Sequence, residues 1–313
     1  MTKTKPVHLK KGDLVSLVAP SGPIADTQRL ETAKLAVEKL GLRTKVSTHA
    51  ADRYGYLAGD DATRAQEFTE AFADTETKAV ICLKGGYGAQ RILARLDFGV
   101  ICRNPKILLG YSDITALHVA LSQVCHLVTF HGPMPSSDMI PEMDNWTETS
   151  LRRAIFSTDP LGAIGNPDDS RMLDTLVPGR ARGELVGGNL SLLASGLGTP
   201  WEIDTRGKIL FLEDVDEAPY RVDRMLNQLK LAGKLDECAG IVLGMWTRCV
   251  APEGKPSLEL GEVFRDIVAP SRKPTLVGLQ AGHCAPNLVL PFGIQYELCT
   301  DEGRLEALEP ACI

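Results

Sequence analysis

Short apolar runs alternate with helical stripes through the first half of the chain. LVSLVA reads as a strand, followed by a helix from about Asp26 to Leu40 and another strand near Thr44 to Ser47. In that helix Leu30, Ala33, Val37 and Leu40 recur on one face, Asp26 is placed to cap the start, and Gly41 follows where a left-handed terminator is wanted. A second helix over DDATRAQEFTEAFAD sets Ala65, Phe68 and Phe72 on one stripe. TKAVICL, KILLGYS and HLVTFHG are nearly continuous apolar runs, the pattern of strands buried on both faces of a parallel sheet. This β-α-β grammar predicts an α/β, Rossmann-like parallel-sheet domain.

From about Ser157 to Arg182 the periodicity dissolves into a stretch rich in Pro, Gly and Asp, and a linker is expected over 151–182. Beyond it come GELVGGNLSLLASGLGTPW, KILFLED, a helix over Tyr220 to Ala232, AGIVLGMWTRC and TLVGLQAGH. IQYELCTDEGRLEALEP reads as a hairpin turned at Asp301 to Gly303. Short strands with few helices predict a smaller, β-rich second domain. The expected division is 1–150, Rossmann-like; 151–182, linker; 183–313, β-rich.

The 313 residues, 44% hydrophobic and 24% charged, have ordinary globular composition and length for about two domains. Lys and Arg total 34 against 40 Asp and Glu, a net charge of −6 with no basic block, so no nucleic-acid partner is expected. No apolar run approaches the ~20 residues of a bilayer span, so no membrane association is expected. Asp13 and Ser16 interrupt the first apolar run before it could serve as a signal peptide, which predicts a cytoplasmic protein. The eight cysteines show no CxxC pair and no zinc spacing, so they are expected to be reduced and mostly in the core, with no metal and no cofactor.

LLGYSDITALHVALSQ carries the strongest chemical signal. A strand ends in Gly110, turns through Tyr111, Ser112 and Asp113, and enters a helix at once. Such a turn exposes the Ser112 hydroxyl and makes the backbone N–H of Asp113 an oxyanion donor. The alternative is that Ser112 or Asp113 caps the helix. LKGGYGAQRIL is a second strand-to-helix turn, whose Gly85, Gly86 and Gly88 allow close approach to backbone amides or simply mark a tight turn. It lacks the Lys-Ser/Thr tail and the dinucleotide spacing of nucleotide cradles.

A serine nucleophile needs a base, and of six histidines His131 in TFHGPM and His283 in LQAGHCAPN end apolar strands, where α/β sheets bind ligands. Each could equally be a structural histidine. Glu213 closes KILFLED on the same face as Ile209 and Phe211. A carboxylate there needs a partner, either an imidazole or the nearby Arg221 or Arg224.

VAPSGP (18–23), KGGYGAQRIL (84–93), LLGYSDITAL (108–117), TFHGPM (129–134), GGNLSLLASGLGTPW (187–201), FLEDVDEAPYRVDRML (211–226) and GLQAGHCAPNLVLPFG (278–293) occur in this order. Together they resemble the LD-carboxypeptidase family of serine peptidases, which also contains the microcin C immunity peptidases. The resemblance implies a triad of Ser112 as nucleophile, His283 as base and Glu213 as orienting acid. It implies an oxyanion hole from the backbone N–H groups of Asp113 and Gly86, and a Rossmann-like domain joined to a C-terminal barrel-like β domain with the active site between them. It further implies a homodimer that removes the terminal D-alanine from murein tetrapeptide at an L,D bond during cytoplasmic peptidoglycan recycling. The substrate's free carboxylate would be read by Arg91 or by helix N-termini. Lys84 stands where the family often has Arg, and GLG replaces the commoner LLG after LLAS. Two alternatives are a microcin C-type peptidase cleaving peptidyl-nucleotides and a non-catalytic α/β protein binding a small anion. The linker has no Trp and no long insertion with which to grip a nucleotide.

Overall fold

The computed structural model describes residues 3–167 and 173–313. In chain order its elements begin with β1 (Leu14–Val18), α1 (Thr27–Lys39), β2 (Arg43–Val46), α2 (Asp61–Ala73), β3 (Thr77–Cys82), α3 (Ala89–Ile92), α4 (Phe98–Arg103), β4 (Ile107–Gly110), α5 (Thr115–Val124), β5 (Thr129–His131) and α6 (Asn145–Phe156). There follow β6 (Gly162–Ile164), β7 (Asp174–Val177), β8 (Arg180–Asn189), α7 (Leu190–Ser195), β9 (Ile209–Val215), α8 (Pro219–Leu231), α9 (Lys234–Glu237) and β10 (Gly240–Thr247). The last are α10 (Leu260–Val263), β11 (Thr275–Val277), β12 (Leu290–Phe292), β13 (Gln295–Cys299) and β14 (Arg304–Ala307).

Two compact units result: one runs up to Asp159 and takes back Ala285–Gly293 and Pro310–Ile313, and the other comprises Pro160–Cys284 and Ile294–Glu309. The boundary expected at residue 150 and the linker expected over 151–182 are thereby corrected. Helix α6 continues to Phe156, and β6, β7 and the start of β8 occupy the supposed linker, of which 168–172 lie outside the described residues. These strands are short and largely solvated, so they carry no apolar alternation. Their order comes from pairing with β14 and β11, far along the chain.

The first unit holds a six-stranded sheet in the order β12-β5-β4-β3-β1-β2. Strands β1 to β5 are parallel, and β12 adds an antiparallel edge beside β5. Asp26 caps α1 by accepting from the Arg29 amide at 2.7 Å, and Gly41 closes it at φ 94°. Phe68 and Phe72 of α2 are fully buried with ring centroids 5.3 Å apart, and truncating either to Ala should cost about 3–5 kcal/mol. The strand order reverses between β1 and β3, so the loops leaving their carboxyl ends open the crevice where such sheets bind ligands.

The second unit is an eight-stranded sheet ordered β6-β14-β13-β8-β9-β10-β11-β7. Its central strands β8, β9, β10 and β11 are parallel, flanked by antiparallel neighbours. Parallel neighbours require crossovers, supplied by α7, by α8 with α9, and by α10. The expectation of few helices is therefore corrected: α7 and α10 are too short to leave a sequence period. The terminal hairpin forms as expected, with Gly303 at φ 58°.

Cysteine pairing also departs from expectation. Cys102, following Ile101 in α4, and Cys125, just past α5, form a disulfide with an S–S distance of 2.14 Å. The two helix ends lie side by side, a proximity that a separation of 23 positions conceals from the sequence. Among the described residues no helix is long and apolar enough to cross a membrane.

Candidate active site

In the first unit three loops converge at the carboxyl end of the sheet. Ser112 follows β4 at φ 63°, a left-handed conformation that costs a residue with a Cβ roughly 1–3 kcal/mol and persists only where its surroundings enforce it. A Cβ on Gly110 would lie 3.0 Å from Ile114 and 3.2 Å from Cys82, so a larger residue there would press on both side chains. A Cβ on Gly85 would lie 2.9 Å from the Ser112 Cβ and 3.1 Å from its Oγ. The glycine turn is thus packed directly against the serine side chain. Gly85 in turn accepts from the Gly22 amide at 3.0 Å, and Gly86 sits at φ 114°.

Asp113 caps no helix of its own. Its buried carboxylate accepts from the Ala89 amide at 2.7 Å, at the start of α3, so the residue after the serine holds the far end of the glycine turn. Burial pushes its carboxyl above the ordinary range, opposed by the Ser21 hydroxyl, the Ala89 amide and the Arg64 charge. Arg64 is a residue that sequence reasoning missed. Buried on α2, it donates to the Gly88 carbonyl at 3.0 Å, to the Pro20 carbonyl, and to Asp61 at 2.5 Å. One guanidinium therefore joins the loops after β1 and β3. The signal available was a charge four residues before Phe68, on the apolar stripe of α2.

Arg91 already has a partner within its own unit. Its guanidinium donates twice to Asp61, at 3.1 and 2.9 Å, so the proposed carboxylate reader already has a carboxylate from the protein itself. His131 is buried against Tyr111 and Phe292, with centroids 5.8 and 5.4 Å away, which favours its structural reading. His118 Nε2 donates to the Gly110 carbonyl, 2.8 Å away, and burial lowers its pKa to about 4.

In the second unit Glu213 ends up fully buried at the carboxyl end of β9. Its Oε2 accepts from His283 Nδ1 at 2.7 Å and faces the His283 amide at 3.3 Å. A Cβ on Gly282, at φ 102°, would overlap this carboxylate, so glycine is required one residue before the histidine. The Thr247 hydroxyl donates to the His283 carbonyl and fixes the loop from below. A carboxyl oxygen at Nδ1 favours the tautomer that carries its proton there.

The neighbouring carboxylates have other work. Asp214 points to the opposite face and accepts from Asn189 Nδ2 at 2.8 Å, Ser191 Oγ at 2.7 Å and two amides, tying β9 to the start of α7. Asp216 accepts two bonds from Arg248 at 2.6 and 2.7 Å. Arg221, a rival partner for Glu213, instead lies 3.5 Å from Glu217.

Both halves of the chain match models of one family. The LD-carboxypeptidase N-terminal domain matches residues 15–132 and the LD-carboxypeptidase C-terminal domain matches 182–298. The chain belongs to the LD-carboxypeptidase family. It is 46% identical over 299 residues to a probable murein peptide carboxypeptidase of Bacillus subtilis, covering 95% of this chain and 92% of that one. It is 34% identical over 284 residues to a murein tetrapeptide carboxypeptidase of Pseudomonas aeruginosa, covering 89% and 91%. Among solved structures, the muramoyltetrapeptide carboxypeptidase from Oxalobacter formigenes superimposes with a TM-score of 0.81 at 29% identity, covering 95% of this chain and 99% of that one. The microcin C7 self-immunity protein MccF shares the fold, with a TM-score of 0.90 at 24% identity over 99% of each chain.

Membership places this LD-carboxypeptidase among serine-type carboxypeptidases. The first unit presents the Ser112 hydroxyl beside the glycine turn. The second presents an imidazole hydrogen-bonded to a buried carboxyl group.

Proposed function

We propose that this enzyme removes the terminal D-alanine from murein tetrapeptide through an acyl-enzyme on Ser112. The observation that carries this reading is the 2.7 Å contact between His283 Nδ1 and the buried Glu213 carboxylate, the pairing by which a carboxylate orients a catalytic imidazole. In the proposed reaction Ser112 Oγ attacks the scissile carbonyl and its proton passes to His283 Nε2. The backbone N–H groups of Gly86 and Asp113 hold the oxyanion, and Glu213 stabilises the imidazolium. Collapse of the tetrahedral intermediate breaks the C–N bond, and the nitrogen of D-alanine leaves with the proton from His283. A water molecule, deprotonated by the same nitrogen, then hydrolyses the ester.

The names of the Bacillus and Pseudomonas relatives support murein peptide as the substrate. The reading extends to cytoplasmic recycling of murein fragments by a homodimer. The test is mass spectrometry of L-Ala-γ-D-Glu-meso-diaminopimelate-D-Ala incubated with the native enzyme and with Ser112→Ala. Loss of one alanine with the native enzyme alone is the expected result. No loss with either sinks the reading, and cleavage of a peptidyl-nucleotide instead would transfer the site to the microcin-type reaction.

A further inference from the structure

Beside the glycine turn the first unit exposes three tyrosines: Tyr54 and Tyr56 are each 66% exposed and Tyr87 is 49% exposed. The rings of Tyr56 and Tyr87 meet edge to face, 5.5 Å between centroids and 70° between planes, and so form an open corner. Their backbone is held firmly. Tyr54 and Leu57 exchange two hydrogen bonds of 2.8 and 3.0 Å, and the Ala58 amide donates to the Ser21 carbonyl at 3.0 Å. Ser21 precedes Gly22, which binds Gly85, while Tyr87 directly follows Gly86. The corner is therefore built on the loops that position Ser112. Arg91, held by Asp61, lies within electrostatic reach of both phenols and supplies a polar rim.

Large rings presented to water on fixed loops next to a reactive hydroxyl gain nothing from folding, and they mark a surface that a ligand covers. We propose that Tyr56 and Tyr87 form a subsite for a pyranose ring, the amino sugar carried by a murein peptide. This rests on the reading of the enzyme as a murein peptidase and assigns two residues to the sugar end of its substrate. The tetrapeptide consists of carboxylates, an ammonium, amides and methyl groups, and has no flat apolar face. A pyranose does: its axial C–H bonds form a disc that is weakly positive at hydrogen, matching the negative face of an aromatic ring. The phenol hydroxyls and the Arg91 guanidinium suit the hydroxyl and acetamido groups at the sugar's edge.

The test compares kcat/KM for the free tetrapeptide and for the same peptide bearing N-acetylmuramic acid on its L-alanine nitrogen. The wild-type enzyme is expected to favour the sugar-bearing peptide by about tenfold, mainly through KM, the scale of one good aromatic contact. That ratio should fall close to one in Tyr56→Ala/Tyr87→Ala and persist in Tyr56→Phe/Tyr87→Phe, which keeps the rings. Equal use of both substrates by the wild type overturns the proposal, as does a preference that survives loss of both rings. Titration of the wild-type enzyme with N-acetylglucosaminyl-N-acetylmuramic acid, read by NMR of the tyrosine rings, needs neither turnover nor a folded alanine variant. Ring shifts at Tyr56 and Tyr87 support the subsite even where no peptide is cleaved, whereas shifts with adenosine monophosphate and none with the disaccharide overturn it.

Discussion

The surroundings of Ser112 in the first unit and of His283 in the second are held by different physics. Around Ser112 the constraint is backbone: a positive φ, a glycine at 85 where a Cβ has no room, and a buried Arg64 gathering carbonyls. Around His283 it is a side chain, since one buried carboxylate fixes the imidazole and one glycine makes way for that carboxylate. A backbone-built site fails by fractions of an ångström and keeps its chemistry in kind. A charge-built site fails by losing its proton arrangement while its shape survives.

Glu213→Gln is the sharpest way to break the contrast. Glutamine fills the same volume but can donate to Nδ1, which would put the proton on the wrong nitrogen, and kcat should fall by about 10⁴-fold with the melting temperature nearly unchanged. Steady-state kinetics beside thermal unfolding checks this. A loss under tenfold would mean that the anion does not govern the tautomer.

Gly85→Ala addresses the other half. Its Cβ would press on the Ser112 side chain at 2.9 Å, and a displacement of well under an ångström at a nucleophile should cost kcat about 10²-fold with little change in KM. The comparison predicts that Gly85→Ala still reacts, slowly, with a serine-directed phosphonate. Wild-type labelling rates would show that the glycine turn is not built around the serine.

The halves also differ in how far the sequence discloses them. The elbow was legible because strand, Gly110, turn and helix are contiguous, and Glu213 because it lies in a strongly apolar strand, whereas His283, expected to end a strand, stands in the loop six residues beyond β11. Asp113 was legible as an elbow residue, but its true partner, Ala89, is not local. Arg64 drew no reading from the sequence, and Arg91 was read as a partner for the substrate's carboxylate, because the carbonyls and the Asp61 carboxylate that engage them are brought close only by folding. Edge strands β6 and β7 and the Cys102–Cys125 pair were hidden for the same reason. The resemblance of seven motifs in order supplied the joint reading of Ser112, Glu213 and His283 that no single segment carried.

Acid separates the halves again. His118 is buried and neutral, with a pKa of about 4 against an ordinary 6.5, so between these values the unfolded chain takes up a proton that the folded chain refuses. Stability therefore falls as pH drops from 6.5 toward 4, by about 3 kcal/mol at the lower limit. Urea denaturation across this range should show the slope in the native enzyme and a flatter profile in His118→Gln. An unchanged slope would assign the acid sensitivity to other groups.

The smallest effect expected is that of the disulfide, which closes a segment containing Ser112 and has no counterpart at Glu213 or His283. Cys125→Ser should lower stability by about 2 kcal/mol through the freedom returned to the unfolded chain, and leave kcat within a factor of two. Activity assayed with and without dithiothreitol, alongside thiol counting by mass spectrometry, separates the alternatives. Equal activity means that Arg64, Asp113 and the glycines suffice to hold the elbow, as a protein working among the reduced thiols of a cytoplasm would need. A large loss on reduction would instead make the covalent clasp part of the nucleophile's support, and would argue against that compartment.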